Sequence, residues 1–129
     1  MTSSQEWTQE WTQGNQPGLT VRWSLREAPE GTEKALADYV AGTSHARFTG
    51  KPGLRFKTWR MREGEWFEGC YVFATDAERA EFQESFTATA AESPGSQIIG
   101  SSPVLIEPCT VVAVAEGGEG FAAAASYTA

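Results

Sequence analysis

The sequence predicts a single α+β domain, and three patterns along the chain support this prediction. Four segments have the pattern of β-strands: apolar and polar residues alternate cleanly in the first, and the last is dense in Val and Ile. Helical periodicity fills the intervals between the first and second segments and between the third and fourth. Only a short turn separates the second and third segments, which therefore form a hairpin. The order β-α-β-β-α-β predicts a ferredoxin-like fold, in which one four-stranded antiparallel sheet carries both helices on one face.

The chain length fits this single domain with a short extension at each end. Its 129 residues are enough for one hydrophobic core. We expect a flexible N-terminal arm at residues 1–17, the folded domain at residues 18–117 and a tail at residues 118–129. The arm is polar except for Trp7 and Trp11, which either move freely with it or dock on the body or on a partner subunit.

The first predicted strand covers residues 19–27 and is followed by a helix. One face of this strand is apolar and consists of Leu19, Val21, Trp23 and Leu25. After Pro29 and Gly31, Thr32 is expected to cap the helix. The predicted core side of the helix consists of Ala35, Leu36, Tyr39, Val40 and Thr43. We expect this helix to fade at residues 42–46.

The predicted hairpin joins strands at residues 54–62 and 66–74. Phe56 falls on one face of the first of these strands, and Trp59 and Met61 fall on the other. Thr75 and Glu78 then form a capping box. Thr75 and Glu78 open the second helix, which is expected to end before residue 93. The residues that this helix is expected to turn toward the core are Ala77, Ala80, Phe82, Phe86 and Ala90. A last strand is expected at residues 103–116, with a break at Pro108.

A sheet that carries both helices on one face leaves its other face bare. A single chain would expose a large apolar area there, which monomeric proteins rarely do. We therefore expect a second copy of the chain to cover this face and to complete a dimeric α+β barrel, so that the protein is a homodimer.

Composition argues against several other kinds of partner. Seventeen acidic residues outnumber ten basic ones and give a net charge of −7, which disfavours binding to nucleic acid. No apolar stretch approaches the length that spans a bilayer, so no membrane partner is expected. The N-terminal residues lack the pattern of a secretory signal, which favours a cytoplasmic location. Cys70 and Cys109 are expected to be buried reduced thiols, and with one histidine they provide too few ligands for a structural zinc site.

Three motifs in the middle of the chain carry a family resemblance. Pro52-Gly53 precedes a strand that contains Lys57-x-Trp59, and after a turn follows Gly69-x-Tyr71-x-Phe73. A helix rich in alanine and aromatic residues comes next. This arrangement resembles the small monooxygenase-like proteins of the YdhR type, closely over residues 52–82 and by element order over residues 19–116. These proteins belong to the dimeric α+β barrel superfamily, together with the antibiotic-biosynthesis monooxygenases.

The resemblance implies an enzyme that oxygenates a small, electron-rich aromatic substrate such as a phenol, an anthrone or a quinol. Such monooxygenases work without metal or flavin, so the resemblance implies no cofactor. The chain agrees with this, since it contains neither GxGxxG nor GxxxxGK[ST]. The same fold also supports an aromatic polyketide cyclase or dehydratase. A non-catalytic dimer that binds a small ligand is an alternative from a different class.

Two residues are the candidates for catalysis. His45 is the only histidine, the side-chain type that ordinarily titrates near neutrality, so it is the candidate general base. Alternatively, it is a surface residue just past a helix end. Tyr71 occupies a motif position and offers a hydroxyl to a substrate oxygen. Trp59, on the neighbouring strand, offers an aromatic wall. The alternative for both motif residues is core packing or a dimer contact.

Four further residues are candidates for substrate binding. Phe73 belongs to the same motif as Tyr71, and Trp23 is an aromatic residue that also suits the core. Trp66 follows the hairpin turn, where it suits a pocket mouth or a dimer contact. Arg22 lies on the polar face of the first strand and either binds an anionic ligand or pairs with an acid. Glu68 would become a base if burial raised its pKa.

Overall fold

The computed structural model describes residues 16–127 of the chain. The strands are β1 (Gln16–Ser24), β2 (Leu54–Arg62), β3 (Trp66–Phe73) and β4 (Leu105–Val111). The α-helices are α1 (Thr32–Tyr39), α2 (His45–Phe48), α3 (Asp76–Ala88) and α4 (Pro94–Ile99). Gln16 and Pro17, at the end of the predicted arm, already belong to β1. Trp7 and Trp11 lie outside the described residues.

The sheet confirms the predicted fold. Its strand order is β2-β3-β1-β4, and each neighbouring pair is antiparallel. Leu19 lies opposite Tyr71, and Trp59 lies opposite Gly69. Because side chains alternate along a strand, these four positions share the face that packs against the helices. The chain is therefore an α+β domain with ferredoxin-like topology, as the element order predicted.

The core lies between this sheet face and the helices. Leu19, Val21, Trp23 and Leu25 are all buried, which confirms the predicted inner face of β1. The helical side contributes buried residues that pack on them, namely Leu36, Phe48 and Ile99. The Trp23 indole Nε1 donates to the Ser96 hydroxyl oxygen at 3.0 Å, and this hydroxyl donates to the Ala90 carbonyl. The one polar atom of this large buried ring is therefore satisfied.

The first helix differs from the prediction at both ends. Gly31 caps it in a left-handed conformation with φ 88°, and Thr32 is the first helical residue, its hydroxyl donating to the Pro29 carbonyl. The helix does not fade at residues 42–46, because a π-helical turn at Val40–Ser44 leads directly into α2. Of the predicted core side, Leu36 is fully buried whereas Ala35 is exposed. The extension holds His45 inside helical structure rather than beyond it.

The second helical region confirms the cap and corrects the end. The Glu78 amide donates to the Thr75 hydroxyl oxygen at 3.1 Å, as a capping box requires. Phe82 and Phe86 pack against the core, but Ala77 and Ala80 are exposed, so those two assignments were wrong. Ala90 is buried in a 3₁₀ turn at Ala90–Glu92. The helix α4 that follows was not predicted.

The last strand is shorter than predicted, and its proline does not break it. Pro108 lies within β4 opposite Leu19, which an edge strand tolerates because one row of its amides has no ladder partner. Cys70 is half-buried and Cys109 is exposed, so the prediction of a buried thiol was wrong for Cys109. In the C-terminal segment, the Phe121 ring lies 6.2 Å from the Phe56 ring. In the part of the chain that the structure describes, no helix combines the length and the hydropathy needed to cross a membrane.

Candidate functional site

A groove of about 660 Å³ follows the edge strand β2, where Phe56 and Arg60 line it from the opposite sheet face and other residues of β2 and α2 line it from the helix side. Lys57 and Trp59 line it from β2, His45 and Phe48 line it from α2, and residues 122–127 line it from the C-terminal segment. We call it the helix-side groove. Lys57 and Trp59 face the same way because they are two residues apart on one strand. The volume falls within the range of roughly 300–1,000 Å³ that small-molecule sites occupy.

Lys57 is enclosed by three aromatic rings, which we call the aromatic cage. Its Nζ lies 3.7 Å from the ring centre of Phe48 and 4.4 Å from those of Trp59 and Tyr71. Gly69 makes room for this arrangement, because a Cβ there would lie 3.1 Å from Lys57 Cε and 3.3 Å from Tyr71 Cε1. The amine is thus held inside the domain, at the wall of the groove, by rings from three different elements.

The surroundings of Lys57 disfavour its charged form. Burial, and after it the positive charge of Arg47, lowers the pKa of Lys57 from 10.5 to about 6. The aromatic cage acts in the opposite direction, since ring faces attract an ammonium by about 0.5–2 kcal/mol each. Among residues 16–127, no carboxylate forms an ion pair with this amine. Near neutral pH, the free amine of Lys57 is therefore far more populated than that of an exposed lysine.

Tyr71 is a buried neighbour of this amine. It lies directly opposite Lys57 in the β2–β3 ladder and is only 5% exposed. Burial raises the pKa of Tyr71 well above its usual range, so that its hydroxyl stays neutral and remains a hydrogen-bond donor. A small cavity of about 50 Å³ reaches both Lys57 and Tyr71 from the side of Trp23 and Arg47. This cavity is large enough for a water molecule, whose share of liquid volume is about 30 Å³.

The structure divides the predicted site residues between the two faces of the sheet. His45, Trp59, Tyr71 and Trp23 all lie on the helix side, and the His45 and Trp59 rings are 5.8 Å apart. Phe73 is also on this side, but it is 2% exposed and stacks on Tyr71 in the core. It is not among the residues that line the helix-side groove. The predicted candidates His45 and Trp59 therefore share this groove, with Tyr71 directly behind it.

Arg22 and Trp66 lie on the opposite face, in what we call the open-face cluster with Arg60 and Glu68. Glu68 is 1% exposed and accepts hydrogen bonds from the guanidinium groups of Arg22, at 2.9 Å, and Arg60, at 2.7 Å. Arg22 also lies over the Trp66 ring, 4.3 Å from its centre. Arg22 is thus paired with an acid, which was the alternative to anion binding.

The open-face cluster also corrects the expectation for Glu68. Burial acts to raise the pKa of this carboxyl, but the hydrogen bonds from Arg22 and Arg60 outweigh burial and hold its pKa below the usual range. Glu68 is therefore an ionised structural partner of two arginines at neutral pH. It is not a base.

Sequence reasoning missed Lys57 as a functional residue. The residue appeared only as part of the Lys57-x-Trp59 motif. A signal was nevertheless present, because strand alternation places Lys57 on the same face as the large apolar residues Trp59 and Met61. A lysine on an apolar face is rare unless it is paired, so that position alone marks it. Within residues 16–127, no group of three or more His, Cys, Asp and Glu residues is arranged to hold a metal ion.

Comparison with known proteins supports the fold and leaves the activity open. No protein-family model matches the chain, and no curated protein matches it. The chain is similar to the solved structure of NE2512, a protein of unknown function from Nitrosomonas europaea. The two are 23% identical with a TM-score of 0.57, and the match covers 82% of this chain and 98% of NE2512. The resemblance to YdhR-type proteins and the cytoplasmic location stay predictions.

Proposed function

We propose that the protein is a cofactor-independent monooxygenase that oxidises an electron-rich aromatic of the phenol, anthrone or quinol type in the helix-side groove. The observation that carries this proposal is the Lys57 amine, which three aromatic rings hold at the wall of a 660 Å³ groove and which pairs with no carboxylate of residues 16–127. An aromatic substrate fits the apolar wall of Trp59 and Phe48. The first step of such a reaction needs a base near neutral pH, which this amine provides.

The proposed reaction starts with transfer of an acidic substrate proton to Lys57 Nζ. The substrate anion then lies beside the ammonium it has created and passes one electron to O₂. Recombination forms a carbon–oxygen bond and gives a hydroperoxide, which takes up the proton held by Lys57. Its O–O bond then breaks, so that one oxygen stays on the substrate and the other leaves as water, with both hydrogens of that water coming from the substrate. For an anthrone, a CH₂ group becomes a carbonyl. The Phe48 and Trp59 rings that wall the groove shield the radical pair from bulk water on their side.

The other residues of the groove have defined roles in this proposal. Trp59 stacks on the substrate ring, and His45, with its ring 5.8 Å from Trp59, is placed to relay the proton from the groove to solvent. Tyr71 keeps its proton because burial raises its pKa, so its hydroxyl is suited to donate a hydrogen bond to the substrate oxygen as charge develops there.

We also propose that the working unit is a homodimer. The sheet face opposite the helices carries large apolar groups, including Phe56, Trp66 and Leu105, and no helix of the described chain packs over this face. A second copy that covers it would complete the barrel. Light scattering should then give twice the chain mass of 14.0 kDa. A monomer at micromolar concentration would rule out the barrel.

Oxygen uptake with a panel of phenols, hydroquinones and anthrones tests the activity. Lys57→Met should abolish uptake, and His45→Ala should lower kcat by about 10²–10⁴ if the imidazole moves the proton. Lys34→Met is the matched control, because Lys34 is exposed on α1 and forms an ion pair with Asp38. Wild-type uptake by the Lys57 variant would refute the proposal. Turnover that persists without oxygen would indicate a cyclase or dehydratase, and saturable binding without turnover would indicate a ligand-binding dimer.

A further inference from the structure

Lys57 differs in its surroundings from the other two lysines of the chain. Lys34 is exposed and holds its charge against Asp38, with Nζ 2.9 Å from the carboxylate. Lys51 lies in the connection between α2 and β2. Lys57 borders both the helix-side groove and the small cavity behind it, whereas Lys51 lines a separate cavity of about 380 Å³. Of the three lysines, only Lys57 has its amine over aromatic ring faces of residues 16–127.

The geometry around Lys57 suits attack on carbon as well as acceptance of a proton. The side chain lies over Gly69, so its last carbon is fixed close to the β3 backbone while Nζ faces the aromatic cage. No carboxylate of residues 16–127 pairs with the amine and holds it as a cation. Its polar and charged neighbours are Arg47 and His45 on α2, Tyr39 on α1, and Tyr71 and Cys70 on β3. Amines that are desolvated beside a second cation are the ones that proteins use as nucleophiles toward carbonyl groups.

We propose that Lys57 is a covalent carbonyl-binding site, whose amine forms an imine with a small aromatic aldehyde or ketone held in the helix-side groove. The aromatic class follows from the walls, since Phe48, Trp59 and His45 present rings to the ligand. This chemistry goes beyond the proposed oxygenase activity and does not rest on it, because neither O₂ nor a substrate anion takes part.

Imine formation at Lys57 needs no reagent beyond the two partners. The Nζ–carbon bond forms as the amine adds to the carbonyl, and one amine proton moves to the oxygen to give a carbinolamine. The carbon–oxygen bond then breaks, and the oxygen leaves as water with the second amine proton. Nothing is oxidised or reduced. Tyr71 lies opposite Lys57 in the β2–β3 ladder and shares the small cavity with it, so its neutral hydroxyl is the donor available behind the amine.

Reductive trapping with benzaldehyde tests this site. The wild-type protein is treated at pH 7 with benzaldehyde and sodium cyanoborohydride, and the attached benzyl groups are located by peptide mass mapping. Lys57 should be modified at least tenfold faster than Lys34 and Lys51, and the exposed Lys34 serves as the internal standard. Lys57→Arg should lose the fast adduct, whereas Lys34→Met should keep it.

Two outcomes would overturn the proposal: equal labelling of the three lysines, or faster labelling of Lys34 or Lys51. A phenol that is not itself trapped should slow labelling of Lys57 only, which places the carbonyl in the groove. Unchanged labelling of Lys57 under saturating phenol would contradict that placement. Fast trapping without oxygen uptake on any substrate would refute the oxygenase proposal alone, whereas oxygen uptake without trapping would refute the imine alone.

Discussion

Replacing Lys57 by methionine is expected to stabilise the fold, and the gain should depend on pH. Methionine has a similar length and no charge, so it fills the aromatic cage without the cost of burying an amine. The wild-type chain carries that cost because the pKa of Lys57 falls from 10.5 to about 6 on folding. A residue retained at the expense of stability is typical of a functional site.

The size of the gain follows from this change of pKa. Each unit of pKa change corresponds to about 1.4 kcal/mol. The fall of the Lys57 pKa from 10.5 to about 6 therefore limits the gain in the free energy of unfolding to about 6 kcal/mol. Each of the three rings of the cage stabilises the buried ammonium by about 1 kcal/mol through cation–π attraction. The expected gain in the free energy of unfolding on replacement by methionine is therefore about 3 kcal/mol. For comparison, replacement of a buried ion pair by well-packed apolar residues is often neutral or stabilises a protein by about 1–4 kcal/mol.

The sign of the pH dependence is fixed by the direction of the shift. At low pH both the folded and the unfolded chain carry the ammonium, so the wild type bears the full penalty. Above the folded-state pKa, the folded chain has lost its proton and the unfolded chain still binds one, so wild-type stability rises with pH. The penalty vanishes as pH approaches 10.5, the ordinary value. The advantage of Lys57→Met should therefore be largest near pH 6 and should disappear near pH 10.

Urea unfolding at a fixed protein concentration measures this advantage. The free energies of unfolding of the wild type and Lys57→Met are compared at pH 6 and at pH 9.5, with Lys34→Met as the control. The control should change the free energy of unfolding by less than about 0.5 kcal/mol at both pH values, as exposed ion pairs usually do. A Lys57→Met variant that is less stable than the wild type at pH 6, or a gain that does not depend on pH, would refute the reasoning.

Three further substitutions test other parts of the structure. Ser96→Ala leaves the buried Trp23 indole N–H without its acceptor and should lower the free energy of chemical unfolding by about 1–3 kcal/mol. An unchanged unfolding midpoint would show that this hydrogen bond is dispensable. Glu68→Gln should cost about 1–3 kcal/mol at pH 7, because two charge-assisted hydrogen bonds weaken. The cost should fall as pH drops below 4.5, the ordinary value, and on through the lowered pKa of folded Glu68, where the wild-type carboxyl itself takes up a proton. A loss that persists at low pH would point to packing instead. Tyr71→Phe should keep the fold within about 1–1.5 kcal/mol and lower the rate of oxygen uptake by about 10²–10³ if the hydroxyl stabilises the substrate anion; full activity would remove Tyr71 from the mechanism.

The sequence predicted the hairpin strands β2 and β3 well because their ends are marked by local signals. The bounds of β2 agree with the prediction at both ends, since Pro52-Gly53 precedes Leu54 and a Gly-containing turn follows Arg62. The cap of α3 was predictable for the same reason, because Thr75 and Glu78 are three residues apart. Such features depend on a few neighbouring residues, so no knowledge of the rest of the fold is needed.

The errors occurred where a local signal has two structural meanings. Ser93-Pro94-Gly95 was interpreted as a stop, but proline also suits the first turn of a helix, and here Ser93 caps α4 with Pro94 in that turn. Gly42 suggested a helix end, whereas the chain passes through a π-helical turn and continues to Phe48. That turn brings His45 and Phe48 to the groove, so the error in secondary structure also hid part of the site.

The chemistry of the site was the least predictable part, because it depends on contacts between distant elements. Whether Glu68 is a base or an ion-pair partner depends on Arg22, which lies 46 residues away in sequence. The state of Lys57 depends on rings from α2, β2 and β3 and on the space left by Gly69. Strand alternation places Lys57 on the inner face but does not reveal these neighbours.

The titration of Lys57 is the most direct test of this account. With three lysines in the chain, the ¹³Cε resonances can be followed individually by NMR from pH 5 to pH 11 and assigned with Lys57→Met and Lys34→Met. Lys34 and Lys51 should titrate near the ordinary value, about 10.4. Lys57 should titrate between about 6, the value set by burial and Arg47, and about 8, which allows for attraction by the three rings. Three superimposable titrations near pH 10 would contradict the account, because Lys57 would then be an ordinary ammonium at neutral pH and neither a base nor a nucleophile.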